Sequence, residues 1–493
     1  MNPFDEYQER KKRLSSIREM GLDPFEATTA RDTSVKDFNE TFAEHLESLD
    51  EVCLAGRLRS IRAHGALVFA DLDDGTGRVQ IVINEKNVSA DVFKFFTDLI
   101  DMGDFVEARG KAYVTRSGQN SLEVTEAKLL TKALRPLPDQ YYGFKNEEEK
   151  LRKRYLDILT NADVHDMFVK KAKFWQSVRN FLVNRGFLEV ETPVLEVTTG
   201  GADARPFVTH HNALDMDVYL RISMGELWQK RLMVAGYEKT FEIGRQFRNE
   251  GMDAEHLQDY TQMEFYWGYA DYEKGMELVE ELYKYVAKET FGTSKFTING
   301  HEIDLDKTWE RYDYRETVLK FTGIDVLDTT MEDIEAKLRE HKIEYDKKGF
   351  NITRAIDNLW KYCRKQISGP GFVVGIPITV SPLAKRDKKH PELAQRFQPI
   401  LAGSEVGNGY SELNDPIDQA ERFGQQAELR EQGDEEAQMT DEEFVEALEY
   451  GMPPTCGFGM SERVFSFLMD KSIRECQIFP LMKPRGQEGK EDE

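Results

Sequence analysis

The chain has 493 residues, 40% of them hydrophobic and 32% charged, enough for a large buried core shared among two or three domains. Acidic residues outnumber basic ones 90 to 66, a formal net charge of −24, which argues against a basic protein that coats DNA but leaves room for a local phosphate-contacting patch. The four cysteines (Cys53, Cys363, Cys456, Cys476) form no C-x-x-C pair, which argues against a zinc ribbon or a disulfide scaffold and fits a reducing cytosol; with no apolar signal core and no run of about 18 apolar residues, no membrane span is expected, nor a membrane partner, and the cytoplasm is the expected location.

In chain order, Tyr7 to Met20 is polar, helical in composition and stopped by Gly21. Its Lys11-Lys12-Arg13 cluster reads either as an RNA contact or as a solvated helix face. Residues 1–50 are therefore taken as a helical extension. From 51 to 135 the pattern is short strands separated by turns, as in a five-stranded OB-fold β-barrel. Around the turn Asp74-Gly75-Thr76-Gly77, Val68, Ala70 and Leu72 share one face, as do Val79, Ile81 and Ile83. The other faces carry Phe69, Arg78 and Gln80, which suit a base-stacking platform, although a phenyl ring packed beneath a loop would give the same pattern.

Lys132 to Lys150 has two prolines and a charge run and reads as a connecting segment, with the linker proper at 136–150. The remainder, 151–493, mixes helices and strands in an α/β (α+β) pattern. Asp163 to Arg185 is a predicted helix with Phe168, Ala172, Trp175, Val178 and Leu182 toward the core. Residues 325–365 read as a mainly helical insertion without clustered chemistry, and Gln425 to Glu449 as an acidic surface helix.

Three stretches carry chemistry. In TFEIGRQFRNEGMDAEHLQDYTQMEFYWGY two alternating strands flank a loop containing Asp253, Glu255, His256 and Tyr260. One face holds Phe241, Ile243, Phe247, Met263, Phe265 and Trp267; the other holds Glu242, Gln246, Arg248, Glu250, Gln262, Glu264 and Tyr266. In ILAGSEVGNGYSELND, Glu405 and Glu412 are seven residues apart, so meeting at one metal requires the backbone to turn at Gly407 to Gly409. Two carboxylates beside a polyphosphate are what Mg²⁺ needs; two surface glutamates around a turn would have the same spacing. In PPTCGFGMSERVFSFLMD a glycine-rich strand runs into a helix with Arg463 at the junction, a setting that favours anions.

RGFLEVETPVLE (Arg185 to Glu196), GRQFRNEG with its return strand (Gly244 to Trp267) and GFGMSERV (Gly457 to Val464) resemble the three signature motifs of class II aminoacyl-tRNA synthetases. GGADARPFVTHHNALDMDVYLRI and EVGNGYSELNDPIDQ are similar to the lysyl-tRNA synthetases of that class. The resemblance implies an ATP-dependent, AMP-forming aminoacyl-tRNA ligase with an OB-fold anticodon-binding domain, a catalytic domain on a mostly antiparallel sheet flanked by helices, and a homodimer formed through the strand with Pro193. Its partners would be tRNA, ATP and L-lysine, not DNA, with Mg²⁺ as cofactor. It implies catalytic roles for Arg248 and Arg463. ATP would be bound by Arg248, Glu250, His256, Leu257, Tyr260, Glu405 and Arg463. Lysine would be bound by Gly201, Glu226, Arg248, Glu264, Tyr266, Asn408, Tyr410 and Glu412. Glu405 and Glu412 would hold metal, and Arg62, Phe69 and Gln80 would read the anticodon.

The chain departs from the family pattern in three places. The third motif is one residue short before Arg463. One extra residue stands between Arg221 and Glu226. Leu257 replaces an asparagine, so only backbone contact is left there. The competing expectations are an aspartyl- or asparaginyl-tRNA synthetase, or a synthetase-like RNA-binding protein that does no charging.

Overall fold

The computed structural model describes residues 3–138, 146–249, 251, 253, 255–345, 350–433 and 437–485. By internal contacts the chain divides into two units, 1–150 with 155–160, and 151–154 with 161–493. Each is described by itself.

In the first unit, β1 (Glu51–His64), β2 (Leu67–Asp73), β3 (Arg78–Asn84), β4 (Phe105–Val114) and β5 (Asn120–Thr131) close into a barrel in the order β1-β2-β3-β5-β4. Every pairing is antiparallel except β3 with β5. The β2–β3 turn forms because Asp74 accepts the N–H groups of Thr76 at 2.9 Å and Gly77 at 3.2 Å. Val68, Ala70, Leu72, Val79, Ile81 and Ile83 are all buried in the barrel core, as strand alternation requires.

The N-terminal helix runs Pro3–Glu19, and its basic cluster is largely engaged within the unit. Arg13 pairs with Asp101, and Lys12 pairs with Glu9 at 2.5 Å. The rest of the extension belongs to the barrel core, since Val35, Phe38 and Phe42 of the helices Val35–Glu40 and Phe42–Ser48 are buried in it. The connecting segment does not begin at Lys132. That side chain is fully buried in an ion cluster with Asp101 at 2.5 Å and Asp104 at 2.7 Å, which ties it to the barrel. Of the predicted linker, 139–145 lies outside the described residues, and Glu147–Arg152 is helical.

The second unit is built on a nine-stranded sheet. Its strands are β6 (Leu188–Glu189), β10 (Lys239–Phe247), β11 (Asp259–Gly268), β14 (Glu310–Asp313), β15 (Gly371–Val374), β16 (Arg396–Leu401), β17 (Ser404–Glu405), β18 (Asn408–Ser411) and β19 (Thr455–Ser461). The order is β14-β15-β16-β18-β19-β11-β10-β6, with β17 paired to β16. Only the outermost pairs, β14 with β15 and β10 with β6, are parallel. Two small sheets accompany it: β7 (Leu195–Glu196), β8 (Val208–His211) and β9 (Met216–Leu220) form one, and β12 (Lys295–Ile298) and β13 (His301–Asp304) the other.

Phe241, Met263, Phe265, Phe397 and Phe458 on one face of the large sheet share a buried core with the helices Ala162–Val183 and Tyr272–Phe291. The buried stripe of the first helix is Met167, Phe174, Val178, Phe181 and Leu182. Ala172 is exposed, and Phe168 and Trp175 sit at the edge. The predicted stripe was therefore rotated by about one residue, because bulky aromatics at a helix–sheet boundary mimic core positions. Tyr260 lies within β11 and not in the loop, since pairing with Gln246 extends the ladder past it. The expected single acidic helix at 425–449 is two helices, Pro416–Glu431 and Glu442–Glu449, the second anchored by buried Phe444 and Leu448.

Candidate active site

The face of the sheet opposite the phenylalanine core bears a cavity of about 370 Å³. Register explains its lining. In β11, Gln262, Glu264 and Tyr266 alternate with the core residues Met263, Phe265 and Trp267 and all face the cavity. Glu264 lies opposite Gly459 of β19, and Tyr266 opposite Gly457. Both glycines are required by space: a Cβ on Gly457 would fall 2.7 Å from the Tyr266 ring, and one on Gly459 would fall 3.0 Å from Glu264 Cγ. Thus the glycine-rich strand makes room for the side chains beside it.

One end of the cavity is a nest of carboxylates and phenols. Glu264 accepts the Met224 N–H at 3.0 Å, the Gln262 amide at 2.6 Å and the Tyr266 hydroxyl at 3.1 Å. Burial, reinforced by Glu226, pushes its pKa up to about 7. Glu226 opens the helix Glu226–Val234 and takes the Tyr410 hydroxyl proton donor. Gly225 precedes Glu226 with a φ of +69°, the left-handed turn that starts this helix. Glu412 is buried, and that burial raises its pKa well above the ordinary carboxylate value against the pull of Lys230. Asn408 accepts from Arg396 Nε at 2.8 Å, and Gly201 brings its backbone against Ser223 and Glu226.

The other end is cationic. Arg248 donates from Nε to the Ile222 carbonyl at 3.3 Å and stands 5.9 Å from the Tyr260 ring, whose hydroxyl accepts from Gln246 at 2.5 Å. Arg463 projects from the start of the helix Arg463–Leu468 and is held by Glu255 at 2.5 Å and by Ser404. Burial lowers its pKa, and Glu255 opposes the shift. The shortened strand-to-helix junction is pinned by Glu462, fully buried, which accepts from the Thr261 N–H at 3.2 Å and the Gln477 amide at 2.6 Å and pairs with Lys171. His256 shares its Nδ1 with Asp253 at 2.9 Å.

Glu405 and Glu412 both line the cavity because the strand breaks at Val406 and Gly407, between β17 and β18. Among the described residues no group of three or more His, Cys, Asp or Glu side chains converges as a metal cage. A Mg²⁺ that arrives with a polyphosphate would need only one or two such carboxylates, with water and phosphate completing its shell. Glu405 also receives the Trp360 indole N–H and pairs with Arg364.

Of the sequence-derived residues, Gly201, Glu226, Arg248, His256, Tyr260, Glu264, Tyr266, Glu405, Asn408, Tyr410, Glu412 and Arg463 line this cavity. Leu257 is buried and is not among its lining residues. Glu250 lies outside the described residues. Sequence reasoning missed Trp360 and Arg364, because the helix Ile352–Arg364 had been read as an insertion without chemistry. It also missed Lys230, whose Glu226-x-x-x-Lys230 spacing was a legible helical ion-pair signal.

In the barrel, Arg62 pairs across strands with Phe69, and Asp71 with Gln80, so the four share one outer region of β1–β3. Phe69 is half-buried. Arg62 is exposed and lies 3.8 Å from Asp71. Gln80 is buried and accepts the Ser121 hydroxyl at 3.1 Å.

Residues 146–483 match the family described as tRNA synthetases class II (D, K and N), and the chain belongs to that family. Residues 52–130 match the OB-fold nucleic acid binding domain. Among curated relatives, the lysine–tRNA ligase of Thermotoga maritima is 42% identical over 493 residues, covering 99% of this chain and 97% of its own. Those of Clostridium perfringens, at 44% over 483 residues, and Moorella thermoacetica, at 43% over 480, cover 97% of this chain and 96% and 97% of their own.

Proposed function

We propose that the protein is a lysine–tRNA ligase. It joins lysine to ATP as lysyl-adenylate with release of pyrophosphate, then passes the lysyl group to the 3′ end of its tRNA. The observation that carries this reading is one cavity with Glu226, Glu264 and Glu412 at one end and Arg248 and Arg463 at the other. Carboxylates backed by Tyr266 and Tyr410 suit an ammonium on an alkyl stem and repel the acidic side chain of aspartate.

Activation requires one anion, the amino-acid carboxylate, to attack another, the α-phosphate. Arg248 stands between them as a non-titrating fork that bridges carboxylate and phosphate. Arg463 holds the far phosphates, and Tyr260 stacks beside the base. Arg248, Arg463 and Tyr260 are each fixed by hydrogen bonds to the protein, so they offer charge developing at phosphorus a preorganised field; losing one such contact lowers the rate about 10²-fold. Mg²⁺ would supply further positive charge to the phosphates; Glu405 would hold it, whereas Glu412, tied to Lys230 at the other end, is left to the amino-acid seat.

The barrel surface at Arg62 and Phe69, with the buried Gln80 beside it, reads the anticodon. A homodimer forms through the exposed apolar side chains Leu188, Val194, Leu195 and Val197 around the first motif. Among the described residues no helix is long and apolar enough to cross a membrane, in keeping with action in the cytoplasm. The test is pyrophosphate exchange with each amino acid. Lysine drives it, whereas exchange driven by aspartate or asparagine and not lysine refutes the reading.

A further inference from the structure

Lys230 is fully buried, yet it is not among the residues that line the cavity. It lies one helical turn after Glu226, and its ammonium is 2.7 Å from Glu226 Oε1 and 2.5 Å from Glu412 Oε2. The rings of Tyr410 and Phe444 stand 5.5 Å and 5.8 Å from it. Each carboxylate therefore turns one oxygen back to Lys230. The remaining oxygens abut glycines of the cavity lining: a Cβ on Gly201 would sit 3.0 Å from Glu226 Oε2, and a Cβ on Gly457 would collide with Glu412 Oε1.

Without an internal cation, Glu226, Glu264 and Glu412 would be three buried acids against one substrate charge. Such a cluster repels itself and swings its carboxylates apart or takes up protons. An ammonium fixed behind two of them cancels one charge and sets the direction of both.

We propose that Lys230 is a positioning residue for amino-acid selection: it orients Glu226 and Glu412 so that their free oxygens, with Glu264, form the seat for an incoming alkylammonium. The inference rests on reading this cavity as the lysine pocket. Lys230 acts through the two carboxylates and does not touch the substrate.

The experiment uses the full chain and measures pyrophosphate exchange. Lysine-dependent exchange in the unaltered protein is established first; its absence would refute the functional reading itself and with it this inference. Lys230→Met is then compared with lysine and with norleucine, which has the same chain length and no side-chain ammonium. The expected result is a KM for lysine raised about tenfold or more, a KM for ATP within about twofold, and a lysine-over-norleucine preference reduced about tenfold. A purely structural role would not split the two substrates in this way. In a folded variant, an unchanged lysine KM and preference would overturn the proposal, as would lysine and ATP constants that rise together. Where Lys230→Met does not fold, Lys230→Arg decides, because it keeps the charge and changes its geometry. A lysine KM raised about threefold or more with ATP unaffected supports the proposal, and one within about twofold overturns it.

Discussion

Replacing Gly457 by alanine tests whether the cavity end between Glu412 and Tyr266 is the amino-acid seat. The added methyl would lie 2.7 Å from Tyr266 Cε1 and 3.1 Å from Cδ1, and would overlap a Glu412 carboxylate oxygen. Neither neighbour yields freely. Glu412 is tied to Lys230 at 2.5 Å, and Tyr266 is buried with its hydroxyl on Glu264. Overpacking of this kind is worth about 1–3 kcal/mol. If that strain falls on the bound state, kcat/KM for lysine drops about 5- to 160-fold. Gly409 provides the control. It lies on neighbouring β18, but its methyl would meet Phe397 of the core at 2.6 Å, so Gly409→Ala lowers the melting temperature instead. The assay is pyrophosphate exchange at varied lysine and varied ATP, with thermal melts of both variants. A Gly457→Ala protein that folds and uses lysine with unchanged kcat/KM would refute the placement of the seat.

Other expectations follow from the same geometry. Arg463→Ala should lower kcat/KM for ATP about 10²-fold, and Arg463→Ala with Glu255→Ala should be less impaired than the single variant, because Glu255 without its partner repels phosphate. Additive losses would contradict the Arg463–Glu255 coupling. Glu196 is pushed by burial from the ordinary 4.5 to about 7, with the Trp228 indole donating to it at 2.9 Å. Its proton is held more tightly in the folded state, so the stability it contributes is complete below about 4.5 and is lost as pH rises through about 7. Chemical denaturation at pH 5 and pH 8 should show Glu196→Gln free of a loss of about 3 kcal/mol that the unaltered protein suffers; equal pH slopes would negate it. Phe69→Ala should raise the KM for tRNA in the charging reaction about tenfold, a stacking contribution of about 1–3 kcal/mol, while exchange without tRNA proceeds; an unchanged KM would remove Phe69 from the interface.

Local alternation alone determined much of this molecule. Val68, Ala70 and Leu72 had to face one way and Phe69 the other, and Met263, Phe265 and Trp267 had to oppose Gln262, Glu264 and Tyr266, because side chains on a strand alternate whatever the strand packs against. The glycines and arginine of the third motif were equally legible, since a strand running into a helix is a local event. What the tertiary structure decided was proximity across the chain. Trp360 and Arg364 reach Glu405 from a helix whose own sequence shows only an amphipathic pattern. Glu255 meets Arg463 across 208 positions, and Lys230 meets Glu412 across 182. The stripe of the helix Ala162–Val183 was rotated for a related reason: periodicity shows that a helix has a buried side, but the sheet beneath it chooses which side is buried. Likewise, Lys132 looked like the start of a linker until Asp101 and Asp104 closed around it. Charged residues carry no pattern that names their partners; only a folded interior, where an unpaired ion is costly, fixes which acid meets which base.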